Sequence, residues 1–303
     1  METYRHSGAV PIGGAIASIV LGLLAALIGG FAYAYAFYWI PFIYLNFLMT
    51  LIFAAIIGGG VYIGGHVGKV RNTTFSKIVG FLCALFGLWV YWGAYVWALV
   101  GPQVGLAAWS PFGLAAFAQA LFENGSWGLM GDNPVTGWFL VVAWLIEASV
   151  ILFVAVAAAA IDSDTAYCER CQQWTDMQKG VASLDASGAE QTWSRITAGD
   201  LVGLAEFQPA PAGSLKFVRL DLASCPQCQT SHFLTIKRVE ITHDKKGNAK
   251  ENEQALVTNA ILGPQHVEIV KLCGALARGE LPGAIPSTGE SGAASDTTDA
   301  DHA

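Results

Sequence analysis

Residues 12–38, IGGAIASIVLGLLAALIGGFAYAYAFY, run for 27 positions without a charged side chain. A helix needs roughly 20 mostly apolar residues to cross a bilayer core of about 30 Å, because lipid offers no partner to a free peptide group. This stretch is long enough to cross. Three more of the same character follow, at about 42–65, 78–100 and 137–161. They are separated by the Trp39-Ile40-Pro41 break, a short basic loop and a long loop, Gly101–Thr136. A secretory signal is the competing reading of the first stretch, since Ala32-Tyr33-Ala34 has the small residues of a cleavage site. Against it, the apolar run is too long, only Arg5 precedes it, and no polar sequence follows.

Charge divides the chain at the end of the fourth run. Residues 1–161 hold four basic and four acidic side chains, residues 162–303 hold 12 and 19, so the net charge of −7 lies wholly in the second part. Long apolar runs with 12% aromatics and 34 glycines describe a multi-span membrane protein. Nothing is basic or repetitive enough to suggest nucleic acid as a partner. Arg5 precedes the first run, Lys69, Arg71 and Lys77 lie around the loop between the second and third, and Arg170 and Lys179 follow the fourth. The other two loops hold no Lys or Arg. Cations collect on the cytoplasmic side, so both termini are expected there, in an inner-membrane, multi-pass topology. Trp89, Trp92, Tyr95, Trp97 and Trp138 then fall toward the outer headgroups, where indole and phenol rings favour the interface.

Small residues recur every fourth position in the first run, at Gly14, Ser18, Gly22, Ala26 and Gly30, and in the second at Gly60, Gly64 and Gly68. Helices in lipid associate by close backbone approach along such faces. The two runs are expected to pack on each other, with a homo-oligomer through the same faces as the alternative. Glu147 stands near the middle of the fourth run, with no Lys or Arg in the spans to pair with it. It is read as an intramembrane functional carboxylate, a proton relay or ion-coupling group, or as a protonated structural acid, with Asn46, Thr50, Ser149 and the tyrosines of the first two runs as partners. His66 and Cys83 read as an interfacial ring and a small packing residue. In the long loop, Ser110-Pro111 is a helix start. The apolar positions Leu114, Phe117, Ala118 and Leu121 that follow describe an amphipathic surface helix. A turn at Gly131–Pro134 then leads to the fourth run.

After Asp162-Ser163-Asp164 the chain carries two Cys-x-x-Cys pairs, Cys168/Cys171 and Cys225/Cys228. Four thiolates in two such pairs suit a tetrahedral zinc ion. The second pair lies between two strand-like runs, Leu215–Leu222 and His232–Thr242, with Phe217, Leu220, Phe233 and Leu234 as core. A short helix from Thr197, a hairpin around Asp185–Gly188, a strand over 253–262 and a helix over 264–278 that buries Cys273 complete an α+β domain, 162–281. Residues 282–303 hold four acids and no base, and read as a disordered tail.

The two CxxC turns and the hairpin around the second resemble zinc-ribbon domains. That likeness implies Cys168, Cys171, Cys225 and Cys228 as ligands of one structural zinc per chain. The 53 residues between the pairs exceed the roughly 15–20 of the compact pattern, so an insertion must be housed. Iron and a dithiol–disulfide couple are the competing uses of the thiols. His232 and His243 lie near enough in sequence to replace a ligand.

The expected architecture is an α-helical membrane protein with four transmembrane helices, 1–161, followed by a small cytoplasmic α+β zinc-ribbon-like domain. No serine–histidine–acid set, phosphate loop or dinucleotide fingerprint is visible, which argues against an enzyme. The preferred function is an adaptor or structural component of a membrane assembly, contacting lipid and a protein partner. A small proton-coupled transporter using Glu147 and a membrane thiol oxidoreductase are the alternatives.

Overall fold

The computed structural model describes residues 2–40, 43–125, 135–161, 165–185, 196, 199–211, 213–243 and 248–280. The chain forms two compact units, one of Arg5–Ser163 and one of Asp164–Ala303 together with Met1–Tyr4.

The first unit is helical. Helices α1 (Ile12–Trp39), α2 (Ile43–Val67) and α3 (Thr73–Val100) are followed by a 3-10 segment (Pro102–Trp109), α4 (Pro111–Asn124) and α5 (Gly137–Ala159). Helices α1, α2, α3 and α5 are each long and apolar enough to cross a membrane. The third span starts at Thr73, ahead of the 78 that hydropathy suggests, because the Asn72 side chain caps it, accepting the Phe75 N–H at 2.9 Å. Helix α4 begins as the Ser110-Pro111 pair indicates, with Ser110 Oγ accepting the Gly113 N–H at 2.9 Å. It lies at 110° to the 3-10 segment before it. Phe112 at its start and Leu106 before it are almost fully exposed.

The small-residue stripe of α1 is buried along its length, Gly14, Ser18, Gly22, Ala26 and Gly30 alike. A Cβ added to Gly68 would stand 2.1 Å from the Gly14 Cα, and one on Gly64 would stand 2.5 Å from the Ala17 carbonyl oxygen. Gly22 and Gly30 face Cys83 and Val90 of α3 in the same way. The stripe is therefore filled by α2 and α3 of the same chain, as expected for two runs that pack on each other. Outward-facing positions such as Ile16, Ile28, Ile52, Leu82 and Phe153 are large, apolar and exposed. That inversion fits a bundle whose solvent is hydrocarbon.

The second unit opens with a two-residue ribbon, β1 (Tyr167–Cys168) paired to β2 (Gln173–Trp174). An antiparallel sheet follows in the order β3 (Asp176–Asp185), β4 (Lys216–Ser224), β5 (His232–His243), β6 (Ala249–Leu262). Helix α6 (Pro264–Ala277) and a short 3-10 helix (Leu201–Glu206) cover one face. Val218, Leu220, Leu222, Leu234 and Ile236 meet Val267, Val270 and Cys273 there. The inward set of β4 is thus 218, 220 and 222. Phe217 faces the other way and is half-buried, a correction to its expected place in the core, because side chains alternate along a strand. Strand β3 has no counterpart in the sequence reading.

The N-terminus joins this sheet. Thr3 bridges to Ala260, the Tyr4 N–H donates to the Asn259 carbonyl at 2.8 Å, and the Ile261 N–H donates to the Glu2 carbonyl at 2.9 Å. The Tyr4 ring meets Phe233 edge-on at 5.1 Å. Asn259 sits in a left-handed conformation, φ 49°, and donates its N–H to the buried Thr235 Oγ1 at 3.1 Å. The 162–164 exit, the 131–134 turn, the 186–188 hairpin apex, Thr197 and the 282–303 tail lie outside the described residues.

Candidate metal centre

Each Cys-x-x-Cys pair closes a turn beside a pair of antiparallel strands. Cys168 ends β1 and Cys171 lies in the turn before β2, while Cys225 follows β4 and Cys228 precedes β5. The two turns are equivalent in one telling detail. The residue after the second cysteine is a glutamine in the left-handed region in both, Gln172 at φ 52° and Gln229 at φ 49°. Only glycine enters that region freely. In the second turn the Gln229 N–H returns to the Cys225 carbonyl at 3.1 Å, and the Cys225 N–H donates to the Ser231 carbonyl at 3.0 Å. The first is braced by Thr175, whose N–H and hydroxyl both donate to the Ala166 carbonyl, and by Tyr167 against Trp174 at 5.0 Å.

These turns bring all four Sγ atoms within 4.8 Å of one another. Cys168 Sγ and Cys228 Sγ stand 3.9 Å apart. A tetrahedral tetrathiolate with Zn–S bonds of about 2.3 Å has sulfurs about 3.8 Å apart, so the donor set fits one central ion. The first cysteine of each pair is buried and the second is half-exposed. Gln173 Nε2 donates to Cys225 Sγ at 3.5 Å, and the Ser231 hydroxyl lies 3.4 Å from Cys168 Sγ. Hydrogen bonds from the Thr230 hydroxyl and N–H hold the Cys228 thiol down, to about 5. Desolvation, then thiol contacts with Cys228, Cys225 and Cys168, push Cys171 up to about 12. Without a cation the four sulfurs cannot all be thiolates, and a divalent ion removes that conflict.

The histidines are not in the cluster. His232 lies across the hairpin from Ser224, with Nδ1 2.8 Å from the Ser224 hydroxyl and Nε2 2.7 Å from the Gln229 carbonyl. A carbonyl only accepts, so Nε2 carries a proton. The ring thereby fixes the Gln229 turn. Cys273 is buried against the Leu204 carbonyl, as a core residue.

On the sheet's other face, Asp221 is fully buried and accepts from the Gly180 N–H at 2.8 Å and from Arg219 at 3.1 Å. Arg219 and Lys237 both reach Glu253, at 2.7 and 3.0 Å. They hold its carboxyl below the usual range.

In the helical unit, Glu147 of α5 meets Tyr33 of α1 at 2.7 Å, and Tyr33 meets Thr50 of α2 at 2.7 Å. Two of the anticipated polar partners are therefore in place, while Ser149 is exposed. Tyr91 of α3 also hydrogen-bonds to Glu147. It escaped the sequence reading because nothing in sequence says which face of α3 meets α5. The ring of Tyr33 is stacked on Phe53 at 5.0 Å and packed on Tyr91 at 4.7 Å.

No protein-family model and no solved structure matches the chain. Among curated proteins, cytochrome c oxidase subunit 3 of Trichophyton rubrum is 36% identical over 101 residues, which is 31% of this chain and 37% of that protein. The chain thus spans little more than a third of the length of the relative it matches.

Proposed function

We propose that this chain is a multi-pass subunit of a membrane assembly whose sheet domain is held by one structural zinc ion on Cys168, Cys171, Cys225 and Cys228. The observation that carries the metal reading is the convergence of four sulfurs from two equivalent turns within 4.8 Å. Paired knuckles of this kind are the mark of a zinc ribbon. The β3–β6 sheet with α6 is then an elaboration that houses the long insertion between the pairs. A sheet domain of this size gains stability from such an ion, since the site does not exist in the unfolded chain and its binding energy is folding energy.

The membrane reading rests on the four apolar helices and their exposed apolar surface. We take the four long apolar helices as the spans and the bent segment 102–124 as lying outside them. The partial match to a cytochrome c oxidase subunit 3 supports a place in a larger membrane complex. By the distribution of Lys and Arg, both termini and the metal domain face the cytoplasm.

Elemental analysis of the full-length protein in detergent, beside Cys225→Ser, tests the metal reading. One zinc per chain, lost in the variant, is the expected result. Absence of metal together with reversible cycling between dithiol and disulfide would replace it with a thiol oxidoreductase.

A further inference from the structure

Three oxygen–oxygen contacts run in series through the helical unit. Glu147 Oε1 lies 2.7 Å from the Tyr33 hydroxyl, which lies 2.7 Å from Thr50 Oγ1, which lies 2.9 Å from the main-chain carbonyl of Asn46. Taken as three hydrogen bonds, each contact holds one proton between its oxygens. The Asn46 carbonyl has none to give, and Tyr33 and Thr50 have one each. Two protons cannot serve three contacts. The third must come from the Glu147 carboxyl. With it the chain runs one way, from carboxyl to Tyr33, from Tyr33 to Thr50, and from Thr50 to the Asn46 carbonyl, and every hydroxyl is satisfied. Without it, two oxygens face each other bare at hydrogen-bond distance, around side chains only 4% exposed.

The surroundings of Glu147 agree. Tyr33 faces it from α1 and Tyr91 from α3, α2 contributes Thr50 through Tyr33, and none of these carries a positive charge. The cations of this unit are Arg5, Lys69, Arg71 and Lys77. Lys77 opens α3, 14 residues before Tyr91, or about 21 Å of helix. At the other end of the series, Asn46 lies one turn from Thr50 on the same face of α2, and its Oδ1 is buried without a hydrogen-bond partner among the described residues. A buried acceptor left open in this way is a place for a water molecule.

We propose that Glu147 is held as a neutral carboxylic acid and that the series Glu147–Tyr33–Thr50 is a proton-exchange path leading to the end of the bundle where α2 begins. In one transfer the Glu147 proton passes to the Tyr33 oxygen, the Tyr33 proton to Thr50, and the Thr50 proton, as its hydroxyl turns from the Asn46 carbonyl, to a water at Asn46 Oδ1, which becomes hydronium. Glu147 is left as the carboxylate and each hydroxyl keeps one proton.

Infrared spectroscopy of the full-length protein in lipid vesicles at neutral pH tests this. The expected result is a protonated carboxyl C=O band that is absent in Glu147→Gln and shifts on transfer to D2O. Tyr33→Phe should move the band by removing its hydrogen-bond partner, and should slow the D2O shift by interrupting the path. The Tyr33→Phe shift also assigns the band should Glu147→Gln fail to fold. A spectrum without a band that responds to either variant makes Glu147 a carboxylate and overturns the proposal. A Glu147 band that stays unshifted in D2O makes it a sealed structural acid and overturns the path.

Discussion

Gly64→Ala, set against Gly59→Ala on the same helix, is the sharpest test of how the bundle is built. A Cβ on Gly64 would lie 2.5 Å from the Ala17 carbonyl oxygen, 2.6 Å from the Ala17 carbonyl carbon and 2.6 Å from the Ser18 Cα, all backbone atoms. Ordinary van der Waals contact starts at 3.4 Å, so α1 and α2 must part by about 3.4 − 2.5, or roughly 0.9 Å. A gap of that size forfeits a quarter to a half of each pair attraction along the seam, and overpacking of this kind costs about 1–3 kcal/mol. A Cβ on Gly59 meets nothing within 4 Å. There the substitution brings only the helix preference of alanine, about 0.5–1 kcal/mol in its favour. The helix preference is common to both sites, so the two variants should differ by about 1–3 kcal/mol although the chemistry is identical. Loss of helical signal on titrating the detergent-purified protein with SDS reads the difference. Equal midpoints would refute the placement of the stripe inside the chain and reopen a homo-oligomer through it.

Gln172→Gly and Gln229→Gly should each stabilise the sheet domain by about 0.5–1 kcal/mol, because glycine adopts the left-handed conformation without strain. Slower loss of metal to a chelator would register the gain, whereas a loss of stability would mean the glutamine side chains brace the turns. Thr235→Val leaves the buried Asn259 N–H without its acceptor and should cost about 1–3 kcal/mol in thermal unfolding. The pairing of residues 2–4 should loosen with it, since the neighbouring Asn259 carbonyl accepts from Tyr4. Glu253 has its folded carboxyl lowered by Arg219 and then Lys237, so its contribution is complete above the ordinary range and fades as pH falls through the lowered value. The group is 34% exposed, so solvent screens it and Glu253→Gln should cost under about 1 kcal/mol at neutral pH and nothing in strong acid. A cost that persists in acid would assign the loss to packing.

The helical unit was legible because a span is a local property: length and hydropathy can be summed along the chain without knowing its neighbours. Where the element depended on a cap, as at Asn72, the polar start Thr73–Lys77 hid it from hydropathy. The sheet shows the same boundary. Strands β4 and β5 alternate and flank a turn of known chemistry, so they could be read. Strand β3 carries Asp176, Gln178, Lys179 and Gly180, with a bulge between Gln178 and Ala182, so its alternation is broken where it would have to be seen. Thr3 forms its bridge only because β6 offers an edge more than 240 positions away. No local signal exists for such a pairing.

The two functional groups of residues differ in the same way. Cys168, Cys171, Cys225 and Cys228 announce themselves because two close pairs of thiols suit a metal ion, and the spacing within a pair is set by one turn. The polar series is another matter, since Tyr33, Thr50 and Glu147 come from three helices and none is unusual in its own. Glu147 could be singled out by its cost in lipid, but its partner could not be chosen among the tyrosines without the rotation of each helix. That rotation is set by the glycines: Gly60, Gly64 and Gly68 bring α2 against α1, and Gly58 admits the α5 backbone at Ala155. The small-residue faces thus bring α1, α2 and α5 together and so fix which hydroxyls a carboxyl on α5 can reach. A substitution that parts α1 from α2 by roughly 0.9 Å should therefore weaken the Tyr33–Thr50 contact as well as the bundle. In Gly64→Ala the Glu147 carboxyl band should exchange more slowly in D2O, with the carboxyl itself unchanged.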